Sequence, residues 1–165
     1  MRYPVRVNPT ERVRAALFEL GLPSEILEFD GTTRTAQDAA DAVGCQLGQI
    51  VKTLFFLADG RPTMALVAGD RQVDTAALAT IVGVGRKKLK MGTPDEVREL
   101  TGFEVGGVSA AGSLCRADVV ADESLQRFDQ VWSAAGAHNA VFKARTVDLV
   151  AAVGAQWAAI TKDDA

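Results

Sequence analysis

The sequence predicts one mixed α+β domain, a mixed and partly barrel-like β-sheet surrounded by helices. Three observations predict it. Strand-length apolar runs and capped helical stretches intermingle without a regular strand–helix–strand rhythm, which argues against a doubly wound nucleotide-binding sheet. Asp59-Gly60-Arg61-Pro62 lies between two β-favouring runs and is the strongest hairpin signal in the chain. No repeat, low-complexity tract or Pro/Ser-rich linker divides the 165 residues, and the five prolines are scattered at positions 4, 9, 23, 62 and 94, so residues 1–165 are expected to form one unit.

The elements follow in order. Asn8-Pro9-Thr10, with Val13, Ala16, Leu17 and Leu20 at helical spacing and Gly21 after them, marks a first helix with its cap, an early proline and a terminal glycine. Residues 24–29 alternate toward a strand, and Asp30-Gly31 turns the chain. Thr35 with Asp38 three residues on is an acidic variant of a capping box, opening a short Ala-rich helix that Gly44 stops. Residues 50–58 and 63–68 form the hairpin strands. Residues 74–82 read as a helix, and Thr93-Pro94 with Glu96 opens another that ends at Gly102. Residues 117–121, 130–134 and 140–144 read as short strands, and 147–153 as a last helix before 156–160.

Composition limits the chemistry. The chain has 18 Lys and Arg against 21 Asp and Glu, a formal charge of −3, which excludes a polybasic nucleic-acid coat protein. An apolar fraction of 48% suffices for the core of a domain this long, which buries roughly 70% of its unfolded surface. Cys45 and Cys115 are far apart and His138 is the single histidine, so no Cys/His spacing suited to zinc exists and no metal or cofactor is implied. No apolar run reaches membrane-spanning length and the first residues lack an apolar signal core, so no membrane partner and a cytoplasmic location are expected.

Four features bear on function. Lys52 stands within the apolar run Ile50-Val51-Lys52-Thr53-Leu54-Phe55-Phe56-Leu57, where it either snorkels at a strand end or anchors a phosphate or carboxylate in a cleft. Residues 102–112 are the densest glycine segment, read either as a plain loop or as backbone that approaches a ligand closely; neither a Walker loop nor GxGxxG is present. His138 reads as a turn residue or a general base, and no GxSxG elbow surrounds Ser109 or Ser113. Arg86-Lys87-Lys88-Leu89-Lys90 is either a solvated turn or a local patch that guides a phosphate backbone.

These signals fall in one order: Gln49-Ile50-Val51-Lys52-Thr53-Leu54, then Gly69-Asp70, the basic stretch ending Lys90-Met91, Thr101-Gly102-Phe103-Glu104-Val105-Gly106-Gly107-Val108-Ser109, Gly136 before a strand, and Asp148-Leu149 in the last helix. From about Leu27 to Ile160 the chain resembles the YbaK/prolyl-tRNA-synthetase-associated domain family, whose members are aminoacyl-tRNA deacylases. The resemblance implies a trans-acting enzyme that hydrolyses the ester of a mischarged aminoacyl-tRNA without a metal. Its partners would be the tRNA acceptor end and, as a second candidate, an aminoacyl-tRNA synthetase.

By that resemblance Lys52 contacts the 3′-terminal phosphate or ribose, and Gly106 and Gly107 supply backbone groups that polarise the ester carbonyl. Phe29, Val51, Thr53, Val108, Ser109, Ala110, Gly136, His138 and Asn139 would shape the substrate pocket, and Arg86, Lys87, Lys88 and Lys90 would meet the tRNA. Two departures stand out. Ala110 occupies the position of the family's loop proline, which keeps a non-catalytic acceptor-end or synthetase-binding module as the alternative function. Leu27 and Val141 stand where the cysteine-editing subgroup carries tyrosine and aspartate, so cysteine specificity is not implied.

Overall fold

The computed structural model describes residues 7–30 and 33–162; Gly31 of the expected Asp30-Gly31 turn, and most of the N-terminal stretch read for a signal core, lie outside the described residues. Helix α1 (Pro9–Glu19) starts where the Asn8 side chain accepts the Thr10 N–H at 2.8 Å, with proline in its first turn. Helix α2 (Ala36–Val43) carries the Thr35/Asp38 capping box and stops at Gly44 in the left-handed region. Helix α3 (Thr75–Val82) is capped by Asp74, and α4 (Pro94–Thr101) by a Thr93/Glu96 box, ending at Gly102 with φ +76°. The last helix is α5 (Thr146–Ala152). Among the described residues no helix is long and apolar enough to cross a membrane.

The strands are β1 (Ile26–Glu28), β2 (Ile50–Ala58), β3 (Arg61–Ala68), β4 (Gln72–Val73), β5 (Leu89–Met91), β6 (Asp118–Asp122), β7 (Gln130–Ala134), β8 (Ala140–Arg145), β9 (Gln156–Ala158) and β10 (Thr161–Lys162). The main sheet has eight strands in the order β1-β8-β7-β2-β3-β6-β9, with β5 branching from β2; β10 and β4 form a separate pair. Its β2–β7, β3–β6 and β6–β9 pairs are parallel and its others antiparallel, so the sheet is mixed, as expected from the absence of a βαβ rhythm.

The hairpin is tighter than the four-residue turn expected. Asp59 and Gly60 alone reverse the chain, both with positive φ (+49° and +84°), and Arg61 and Pro62 already pair with Ala58 and Leu57. Two such residues match the right-handed twist of the flanking strands. Pro62 is tolerated because β6 begins to pair with β3 only at Thr63.

Strand alternation sends side chains to both faces. Val51 and Phe55 of β2, with Met64 and Leu66 of β3, pack under Val13 and Leu17 of α1 and against Phe103. Phe56, Ala58, Ala65 and Val67 pack on the opposite face with Leu78 and Ala79 of α3. β2 is thus apolar in a nearly continuous run because both of its faces are covered.

Candidate active site

A cleft of about 300 Å³ straddles β2 where its pairing is interrupted. Gly69 N–H donates to Ile50 O at 2.7 Å on the β3 side, and Gly92 N–H donates to Phe55 O at 3.0 Å on the other. Even-numbered residues of β2 therefore turn their peptide groups toward β3 and odd-numbered ones away from it. On that second side β7 pairs only with Ile50 and Val51, and β5 only with residues 56–58. The backbone N–H and C=O of Thr53 fall in the stretch that neither neighbour pairs. Its hydroxyl is buried and has no hydrogen-bond partner among the described residues.

The opposite wall is the glycine segment. Gly102 closes α4, Phe103 is buried in the core, and the chain then turns at Gly106 with φ +93°. Gly107 N–H donates to Glu104 O at 2.9 Å, and Gly107 O accepts Gly136 N–H at 3.1 Å. A Cβ on Gly107 would stand 2.8 Å from the backbone of Ala137, so only glycine allows the two loops to touch. Gly106 and Val108 line the cleft. Ser109 is fully buried, its Oγ accepting the Ala111 N–H at 3.1 Å, which suits a loop brace and not a nucleophile.

The turn between β7 and β8 supplies a third wall. His138 lines the cleft, with Nδ1 2.5 Å from Thr33 O. A carbonyl partner makes Nδ1 the donor and leaves Nε2 as the acceptor. Asn139 Nδ2 donates to Phe29 O at 2.8 Å while Phe29 N–H donates to Asn139 O at 2.8 Å, a reciprocal clasp behind this wall.

Lys52 also lines the cleft, half-buried, and its Nζ donates to Arg71 O at 2.6 Å. That carbonyl belongs to the turn after β3, which Asp70 fixes through a two-pronged bond with Arg127 at 2.8 and 3.0 Å. Arg127 donating to its oxygens holds the Asp70 carboxyl below the usual carboxylate range, against the opposing effect of burial. Among the described residues Arg34 and Lys52 are the charged ones that line the cleft, and no carboxylate does. Size alone does not select this site: a larger groove of about 770 Å³, lined by Ala110, Cys115, Arg116 and Asp118 among others, contains neither Lys52 nor Gly106 nor His138. Among the described residues no three His, Cys, Asp or Glu side chains are grouped as a metal site.

A family model described as the aminoacyl-tRNA editing domain matches residues 30–152, which span β2, the glycine segment and the His138 turn. The chain belongs to that family of YbaK-like editing domains.

A solved structure described as a candidate trans-editing enzyme for prolyl-tRNA synthetase superposes with a TM-score of 0.88 at 38% identity, covering 95% of this chain and 99% of that one. The uncharacterised protein YwhH of Bacillus subtilis (strain 168) is 33% identical over 132 residues, 79% of this chain and 82% of its own length. The proline–tRNA ligase of Citrifermentans bemidjiense is 34% identical over 115 residues, 70% of this chain but 18% of the ligase. The likeness to the ligase is thus confined to one part of a much longer protein.

In this editing domain Val51, Lys52, Thr53, Gly106, Val108 and His138 come together around one cleft. Phe29, Gly107, Ser109, Gly136 and Asn139 stand behind its walls, in the contacts already given. Ala110, at the position of the family's proline, lines the larger groove and not the cleft. Arg86, Lys87 and Lys88 form a 3-10 turn outside the cleft; Lys90 lies in β5 beside Met91, which does line it. Sequence reading missed Arg34, Met91 and Val105 as lining residues. The Thr35 cap marks the start of α2 but not its direction, and Met91 and Val105, each about 60% exposed, stand within the quoted motifs with nothing in their residue type to mark them as lining a cleft.

Proposed function

We propose that this editing domain is a trans-acting deacylase that hydrolyses the ester of a mischarged aminoacyl-tRNA. The observation that carries the reading is the charge of the cleft: among the described residues two cations and no carboxylate line it, on a chain of net charge −3. Such a cleft concentrates field for the phosphates of an acceptor end. Its apolar walls, Val51, Phe55, Val97, Val108 and Val141, suit a small aliphatic or hydroxylated side chain.

In this reading Lys52 anchors the 3′-terminal phosphate or ribose. Gly107 has its N–H committed to Glu104, so the amides of Gly106 and Val108 are the loop donors for the ester oxygen. A water oxygen, assisted by a ribose hydroxyl of the tRNA, bonds to the carbonyl carbon; the bond to the ribose oxygen then breaks, that oxygen takes the proton, and the free amino acid leaves. His138 shapes the third wall, on the turn between β7 and β8.

The test is a panel of mischarged aminoacyl-tRNAs, proline tRNA carrying small amino acids included. At least one should be deacylated, with Lys52→Ala lowering the rate by about tenfold or more, as loss of one charge-assisted contact implies. No deacylation of any, or full activity in the variant, overturns the reading. Tight, salt-sensitive tRNA binding without turnover would replace it with the acceptor-end binding module.

A further inference from the structure

We propose that Arg12 is a positioning residue for this site and that α1 is the brace holding two of its walls together. The inference rests on the deacylase reading of the cleft, and it concerns residues that precede the 30–152 match to the family model.

Arg12 is 2% exposed, although its helix lies at the surface of the sheet. Its Nε donates to Gly112 O at 2.7 Å, and one terminal nitrogen donates to Thr101 O at 3.2 Å and Gly102 O at 3.0 Å. The guanidinium also lies 4.6 Å from the centroid of the Phe103 ring. One rigid, planar fork therefore grips both ends of the segment that carries Gly106, Gly107 and Val108. The glycines at its ends are shaped to this grip. A Cβ on Gly102 would meet the Arg12 guanidinium at 2.5 Å, and one on Gly112 would meet Arg12 O at 3.1 Å.

The first turn of α1 also touches the wall that carries His138. A Cβ on Gly136 would lie 2.7 Å from Pro9 C, so the chain just before the His138 turn packs directly on the helix start. Gly136 N–H in turn holds Gly107 O. Arg12 is buried and does not line the cleft, so it does not meet substrate; what it sets is the spacing of loop amides against β2. An oxyanion donor works only at hydrogen-bond distance from the developing charge, so loosening the loop should cost turnover before it costs binding.

The experiment uses the full chain as wild type, Arg12→Met and Arg12→Lys, measuring deacylation kinetics, thermal midpoints and hydrogen exchange. In Arg12→Met we expect kcat to fall about tenfold or more with KM within about threefold, and faster exchange confined to amides of residues 103–112. Arg12→Lys, which keeps the charge and one direct donor, should recover part of kcat. Wild-type kcat in Arg12→Met, unchanged exchange over 103–112, or faster exchange spread evenly through the sheet overturns the proposal. If Arg12→Met does not fold, Arg12→Lys decides: reduced kcat with loop-confined exchange supports the brace, and wild-type behaviour sinks it. If the wild-type protein deacylates nothing, the functional reading fails separately, and the brace stands or falls on the exchange data.

Discussion

Asp70 shows how a residue outside the cleft governs one inside it. Its carboxylate locks the turn whose next carbonyl, that of Arg71, holds the Lys52 ammonium. Because Arg127 lowers the Asp70 pKa in the folded protein, the unfolded chain binds more protons between the native and unfolded values, and stability rises with pH through that window. The contribution is fully present above the unfolded carboxylate value of about 3.9 and is lost as pH falls through the lowered native value. Asp70→Asn should therefore melt below wild type at pH 7, and the gap should close as pH is taken well below 4. An equal gap at both ends of that pH range would show that the ionised fork is not what stabilises the turn. Lysine in an apolar strand, and Gly69-Asp70 before the basic stretch, were legible as residues of interest. That Lys52 is held by a carbonyl 19 positions away was not, because no local pattern encodes that approach.

At the scale of elements, caps, turns and the strands near 117–121, 130–134 and 140–144 were legible, and three of the shortest strands were not. The three helices with an expected cap, at Asn8, Thr35 and Thr93, each begin at the next residue because a cap is a contact between neighbours. Thr93→Ala removes the acceptor for the Glu96 N–H and should lower the unfolding free energy by about 1 kcal/mol in denaturant titration, without change in slope. A loss well below that would mean that burial of Val97 and Thr101, not the cap, holds α4 in place. β5, β4 and β10 escaped the reading. Three residues or fewer carry no periodicity, and β5 exists because Lys90 and Leu89 meet Leu57 and Ala58 across the sheet. The stretch read as a turn or basic patch is therefore partly a strand, with the buried Leu89 as its anchor.

For the whole molecule the net charge of −3 sets an expectation about tRNA. With Arg34 and Lys52 at the cleft and Lys90 nearby, two or three phosphate contacts give a slope of log kcat/KM against log salt of about −1.4 to −2, at roughly −0.7 per single-strand phosphate. A slope steeper than about −4 would instead mean that an extended tRNA face is gripped, with Arg86, Lys87 and Lys88 as its first candidates. The sequence by itself determined the mixed α+β class, the capped helices, the hairpin and the ordered motifs that belong to the editing family, since each depends on residues within a few positions of one another. Only the tertiary structure decided where the cleft opens, that Arg34, Met91 and Val105 line it, that Ala110 faces the other groove, and that α1 braces the loop. Those facts depend on where strand pairing stops and on contacts between segments that lie up to more than a hundred residues apart, whose geometry is set by the packing of the whole chain.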